Sequence, residues 1–239
     1  MARLASLPAE LIAGATPISS SASQLLPVAG PLAPLLPGGG LQRGTVLMVD
    51  AGSGHDGATT LSLALLSAAT SAGSWCVAVG LGDPGVVAMC ELGVDLDRLA
   101  LVPDPGHRWA GVVATALDGV DLVLLRLPFP ARPAMARNLV SRARERRAVL
   151  VVLGSQRSWP EGPDLTLRIE KSTWSGVDGG YGHLGTRQAT VAAVGRRGAS
   201  RPVRRRLWLP GPAGEVVSEM AQHPASIGLL DPLASTAGG

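Results

Sequence analysis

The chain has 239 residues, of which 46% are hydrophobic and 3% aromatic, and its formal charge is +3. That length suits one α/β domain with tails, built on an aliphatic core. No run of about 18 apolar residues occurs, which predicts no membrane span, and the N-terminus lacks a secretory leader pattern, so the expected location is cytoplasmic.

Cys76 and Cys90 form neither a CxxC pair nor part of a zinc-spaced cluster, which predicts reduced, buried thiols. Lys171 is the only lysine. The positive charge is therefore almost entirely Arg, whose planar fork binds phosphate and carboxylate at two points.

Residues 1–37 are rich in Ala, Ser, Pro and Leu and read as a lead-in, with a short helix at Leu4 to Ile12 followed by linker. A turn at Gly38-Gly39-Gly40 opens a core region spanning 38–210. Thr45 to Val49 is apolar and β-branched, which predicts a buried strand. A Gly-rich loop follows, then a helix over Thr59 to Ser71 ended by Gly73. Further strands are expected at Trp75 to Val79, Leu99 to Val102, Asp121 to Leu127 and Ala148 to Leu153. Helices are expected between them at Val86 to Leu92, Trp109 to Leu117 and Ala134 to Arg147. This alternation predicts a doubly wound, mostly parallel sheet. From Asp164 the apolar period changes to two. Leu165 to Glu170, Gln188 to Val194 and Arg204 to Leu209 then predict three antiparallel strands extending the sheet. Residues 211–239 read as a flexible tail.

The loop at Ala51 to Thr60 reads A-G-S-G-H-D-G-A-T-T. A phosphate loop wraps its ligand in backbone N–H groups between two glycines. It needs a Lys for the terminal phosphates and a Ser or Thr hydroxyl for magnesium. With Gly52 and Gly57 in the glycine positions and Gly54 between them, Ala58 falls where the Lys belongs. Thr59, followed by Thr60, falls on the magnesium position. The frame is kept and its charge is missing.

Other segments extend the pattern. L-L-P-G-G-G-L-Q-R-G-T-V-L-M-V-D at Leu35 to Asp50 resembles the lead-in to the RecA phosphate loop. L-G-V-D-L-D-R-L at Leu92 to Leu99 and G-T-R-Q-A-T-V at Gly185 to Val191 resemble two further RecA segments in the same order. Gln156 resembles the nucleotide-sensing Gln of RecA. The resemblance implies a RecA-like core without the RecA C-terminal domain. It also marks departures. Arg126 stands where the magnesium strand should end in an acid, and a buried Arg there cannot hold magnesium. Leu81 falls on the catalytic Glu, with Asp83 displaced from it. The long DNA-binding loops are replaced by short turns. Three catalytic charges are absent together, which predicts no ATPase activity and no cofactor beyond weak ATP–magnesium binding by the loop backbone.

A RecA-like core with these losses resembles the ImuA family, in its actinobacterial ImuA-prime form. The resemblance implies an SOS-induced adaptor of error-prone translesion synthesis, associated with the nucleoid under DNA damage. Its implied partner is an ImuB-type Y-family polymerase relative and, indirectly, an error-prone C-family DNA polymerase and the sliding clamp. A SulA-like division inhibitor is the alternative, and an active RecA-type ATPase ranks third. Two Arg-rich stretches are candidate interaction patches. One is helical, with Arg137, Arg142, Arg144 and Arg146. The other is Arg196, Arg197, Arg204 and Arg205 around the last hairpin. Either would suit DNA or an acidic protein rim, or simply form a solvated face. The four histidines have no metal-ligand spacing.

Overall fold

A computed structural model of the chain describes residues 24–51, 57–178, 181–182, 185–195 and 202–219. The elements in order are β1 (Leu25–Leu26), β2 (Leu41–Gln42), β3 (Val46–Asp50), α1 (Ala58–Ser71), β4 (Cys76–Val79), α2 (Val86–Glu91), β5 (Leu99–Val102), α3 (Trp109–Gly119), β6 (Leu122–Arg126), α4 (Pro133–Arg146) and β7 (Val149–Gly154). After them come β8 (Leu165–Trp174), β9 (Val177–Asp178), β10 (Tyr181–Gly182), β11 (Arg187–Gly195), β12 (Val203–Trp208) and β13 (Val217–Ser218). The main sheet has nine strands in the order β13-β12-β11-β8-β3-β7-β6-β4-β5. β1 with β2, and β9 with β10, form separate antiparallel pairs.

The run from β8 to β5 is parallel, and both of its faces are covered along most of its width. Side chains alternate between two buried clusters, as strand geometry requires. Leu47 and Val49 of β3, with Leu122 and Leu124 of β6, pack on the side of α1 and α2. Val46, Met48, Val123 and Leu125 pack on the side of α3 and α4 with Trp109, Val113, Leu139 and Ala143. The lead-in belongs to the first cluster, where Leu26, Leu32, Leu35 and Leu36 are buried. A short 3-10 segment over Gly30–Leu35 lies against β12. The Pro-punctuated leucines thus cap one face of the sheet. Leu4 to Ile12 lies outside the described residues.

Several expectations need correction. β8 runs parallel to β3 and antiparallel to β11, so two of the three late strands, β11 and β12, are antiparallel to their neighbours. The return from β7 to β8 is made without a helix. Buried Trp159 anchors it, and the Asp164 carboxylate accepts from the Val46 N–H at 3.0 Å. The sheet also continues beyond residue 210. β13 pairs with Leu207 and Trp208 because Val216 is buried and Gly214 lies on Glu91. Cys76 is buried as expected, but Cys90 is exposed on the outer side of a six-residue helix.

No helix of the described residues is long and apolar enough to cross a membrane.

Candidate functional site

β3 sends its crossover α1 towards β4 on one side of the sheet, whereas β7 leads to β8 on the other. The winding reverses between β3 and β7. In doubly wound sheets the ligand crevice lies at the carboxyl ends of the strands at such a point. Here that end is formed by Ala51, the first turn of α1, Arg126, Leu127, Gly154 and Ser158, around a small cavity of about 150 Å³.

Gly57 is the N-cap of α1 and adopts φ +93°, a left-handed backbone that glycine takes without strain. Its carbonyl accepts from the Leu61 N–H at 2.9 Å and starts the helix. Ala58 is buried, with 4% of its surface exposed. The first residue of α1 thus places only a methyl group against the core. Thr59 and Thr60 are half-buried, and Thr59 lines the cavity. Gly52 and Gly54 lie outside the described residues.

Arg126 ends β6 at the rim of the same cavity and is exposed, not buried as its place after Leu122–Leu125 suggested. The strand's final side chain emerges past the cover of the helices. Gly80 permits this arrangement, because a Cβ there would lie 2.3 Å from the Arg126 carbonyl oxygen. An exposed guanidinium at the rim offers a divalent cation no oxygen ligand. Leu81 is buried in the first cluster and Asp83 is exposed. Among the described residues no group of three or more His, Cys, Asp or Glu side chains is placed to hold a metal ion.

Gln156 is exposed in the turn after β7 and lines a different concavity of about 510 Å³, with Asp50, Arg157, Thr166 and Arg168. Gln156 therefore does not line the cavity that Ala58 and Thr59 line.

The sequence reading missed Arg187. It is 3% exposed. Its Nε donates to the Leu209 carbonyl at 2.7 Å, and its guanidinium lies over the Trp174 ring at 4.9 Å. A Cβ added to Gly57 would fall 1.9 Å from Arg187 Nη2, so the guanidinium lies against that glycine. A cation thus reaches the loop from β11, a strand far along the chain. The signal was present, since Arg187, Ala189 and Val191 share one face of an alternating strand and the other two are apolar.

The two basic stretches are built differently. On α4, Arg142 Nε donates to Asp118 Oδ1 at 2.8 Å and Arg146 Nε to the same oxygen at 2.9 Å. Hydrogen bonds from Arg142, reinforced by Arg146, hold the Asp118 carboxyl down at about 2. Arg137 faces Glu161 at 3.6 Å and Arg144 faces Asp164 at 3.8 Å. On β12, Arg204 grips Glu170 with two bonds of 2.7 and 3.0 Å, which lowers the glutamate's pKa. Arg205 donates to the carbonyl of Arg204 at 2.8 Å. Arg196 and Arg197 lie outside the described residues.

Residues 34–161 match the family model described as MT3502 N-terminal domain, which covers more than half of the chain. Over 97 residues the chain is 42% identical to "Uncharacterized protein Rv3395c" of Mycobacterium tuberculosis, an alignment covering 40% of this chain and 48% of that protein. The chain thus spans about half the length of this curated relative. The family match takes in β3, α1, Arg126 and Gln156 and stops before β8, leaving Arg187 and the antiparallel extension beyond it. The chain belongs to the MT3502 N-terminal domain family.

Proposed function

We propose that this protein is a non-catalytic, RecA-like adaptor of error-prone translesion DNA synthesis, of the ImuA kind, acting through assembly with an ImuB-type Y-family polymerase relative. The observation that carries the reading is the cavity at the end of β3 and β6. Buried Ala58 and the guanidinium of Arg126 occupy positions where ATP hydrolysis would require a lysine and a magnesium-holding acid. Electrostatic stabilisation of the transferring phosphoryl group is usually the largest catalytic contribution, and these substitutions remove it from both ends.

The strand order supports the RecA-like part of the reading. The loop-bearing strand β3 lies beside β7, which leads to Gln156, and β6 lies next to that. The antiparallel strands extend the edge beyond β8. An adaptor keeps such a frame for its surfaces and has no need of the chemistry.

The test has two arms. Co-expression with an ImuB-type partner should give a complex that survives gel filtration, while a tubulin-like division protein should not be captured. Phosphate release from ATP should stay at background with and without DNA. DNA-stimulated turnover that Thr59→Ala abolishes would overturn the reading, as would capture of the division protein in place of the polymerase relative.

A further inference from the structure

Among the described residues, β8, β11 and β12 are covered on one face only. Leu167, Ile169, Ala189, Val191, Ala193 and Leu207 point into the cluster on the α1 side. None of the three strands contributes to the cluster on the α3 and α4 side. The register shows what this leaves in the open. Arg168 stands opposite Ala192, which stands opposite Arg204. Lys171 stands opposite Thr190, which stands opposite Arg206. Two cross-strand rows therefore carry four cations on one bare face; Lys171, Arg204 and Arg206 line an open concavity of about 590 Å³, and Arg168 lines the one of about 510 Å³ described above. All four side chains are exposed.

We propose that this bare face binds the phosphate backbone of duplex nucleic acid. Three observations select that occupant. The first is charge. Arg168, Lys171, Arg204 and Arg206 face only Glu170 and Glu219 as ion-pair partners among the described residues. Arg204 and Arg206 are 53% and 65% exposed in those pairs. The long Arg206 pair is of the weak exposed kind, and phosphate offers Arg204 the same two-point geometry as the carboxylate it holds, so phosphate can displace both. The second is the lining. Ser172, Thr173, Gln188 and Thr190 fill the space between the cations, and among the described residues no aliphatic side chain lines the concavity. A protein partner would need an apolar or aromatic anchor in a desolvated centre, which the lining of this concavity lacks. The third is the lack of an open stacking platform. Trp174 pairs with Arg187, lies under its guanidinium and belongs to the opposite face, and Trp208, across from Gln188 on the bare face, is half-buried and does not line the concavity. Single strands are held largely by bases stacked on aromatic rings, whereas a duplex presents phosphates to hydroxyls and guanidinium forks.

This inference stands apart from the assembly reading and needs no polymerase partner. The measurement is fluorescence anisotropy with a labelled random-sequence DNA duplex, titrated with the full chain at several salt concentrations. Four phosphate contacts predict a slope of log K against log salt between about −3 and −4. The double variant Lys171→Gln with Arg206→Gln should bind about tenfold more weakly at low salt, with the slope reduced in size by about 2. Arg142→Gln with Arg146→Gln on α4 should change neither quantity. Glu170→Gln frees Arg204 and should tighten binding a few-fold, an outcome that misfolding cannot imitate. The proposal is overturned if the duplex does not bind at low salt, or if the face variant binds like the unaltered chain. It is equally overturned if single-stranded DNA or poly-L-glutamate competes as well as duplex.

Discussion

Arg187 and Arg206 lie on neighbouring strands and point to opposite faces of the same sheet. Arg187 enters the covered side. It is enclosed by Leu209, Trp174 and Gly57 and holds the start of α1 against the end of β11. Arg206 enters the bare side, stays 65% exposed and meets a single carboxylate at 3.4 Å. The same residue type is a structural clamp in one place and an available charge in the other. The deciding variable is which face the helices cover. Arginine content therefore says little about partners until the register is known.

Perturbing the clamp should produce the largest effect. Arg187→Ala strands the Leu209 carbonyl and removes the cation over Trp174. It should cost about 3 kcal/mol, a drop of about 10 °C in Tm by calorimetry. Gly57→Ala should cost about as much, because it combines a left-handed backbone with a clash against the guanidinium. The two changes should be clearly less than additive, since shortening Arg187 removes the clash. Full additivity would break the link between loop and clamp.

A smaller effect tests whether the clamp end retains chemistry. Ala58→Lys places a lysine at the start of α1 but leaves Arg126 at the rim. Phosphate release should remain at background, and the buried site should lose about 1–3 kcal/mol from overpacking. The cysteines offer a finer comparison of covered and bare positions. Burial, with the Asp121 charge adding to it, pushes the Cys76 thiol up to about 12, whereas Cys90 is exposed. The folded chain should therefore react with a thiol reagent at one equivalent quickly, and at the second only on unfolding.

The smallest effect concerns α4. Asp118 titrates near 2 when folded, below its ordinary 3.8. A depressed carboxylate stabilises the fold above its unfolded pKa and loses that contribution as pH falls through the folded value. Denaturant midpoints of the unaltered chain and Asp118→Asn should therefore differ slightly at pH 6 and converge as the pH falls from about 4 to about 2. Divergence on acidification would contradict the ion-pair assignment.

The parallel part of the fold was legible because both of its faces are covered. β3, β6 and β7 are continuous apolar runs, and Leu99–Val102 was located to the residue. What stayed hidden depended on distant pairing. The direction of β8 is set by its partner β3, not by its own period. β13 is a two-residue strand that exists because β12 offers an edge. The exposure of Arg126 depends on where the helices stop. Arg187 was read as part of a motif and not as a core position, although its alternation with Ala189 and Val191 marked the face.

The position of β3 also bears on how the chain folds during synthesis. β3 is the centre of the sheet, and its hydrogen-bonded neighbours are β7 and β8. The Val46–Asp164 bond closes a separation of 118 residues. At ribosomal rates of about 5–20 residues per second, β3 waits roughly 6–24 s for both partners to emerge. During that interval α1 can form, but the apolar run it follows has no ladder to join. Sheets completed by such distant pairings fold slowly and expose unpaired edges on the way. The late strands therefore do more than extend the sheet: until β8 arrives, the central strand keeps an unpaired edge.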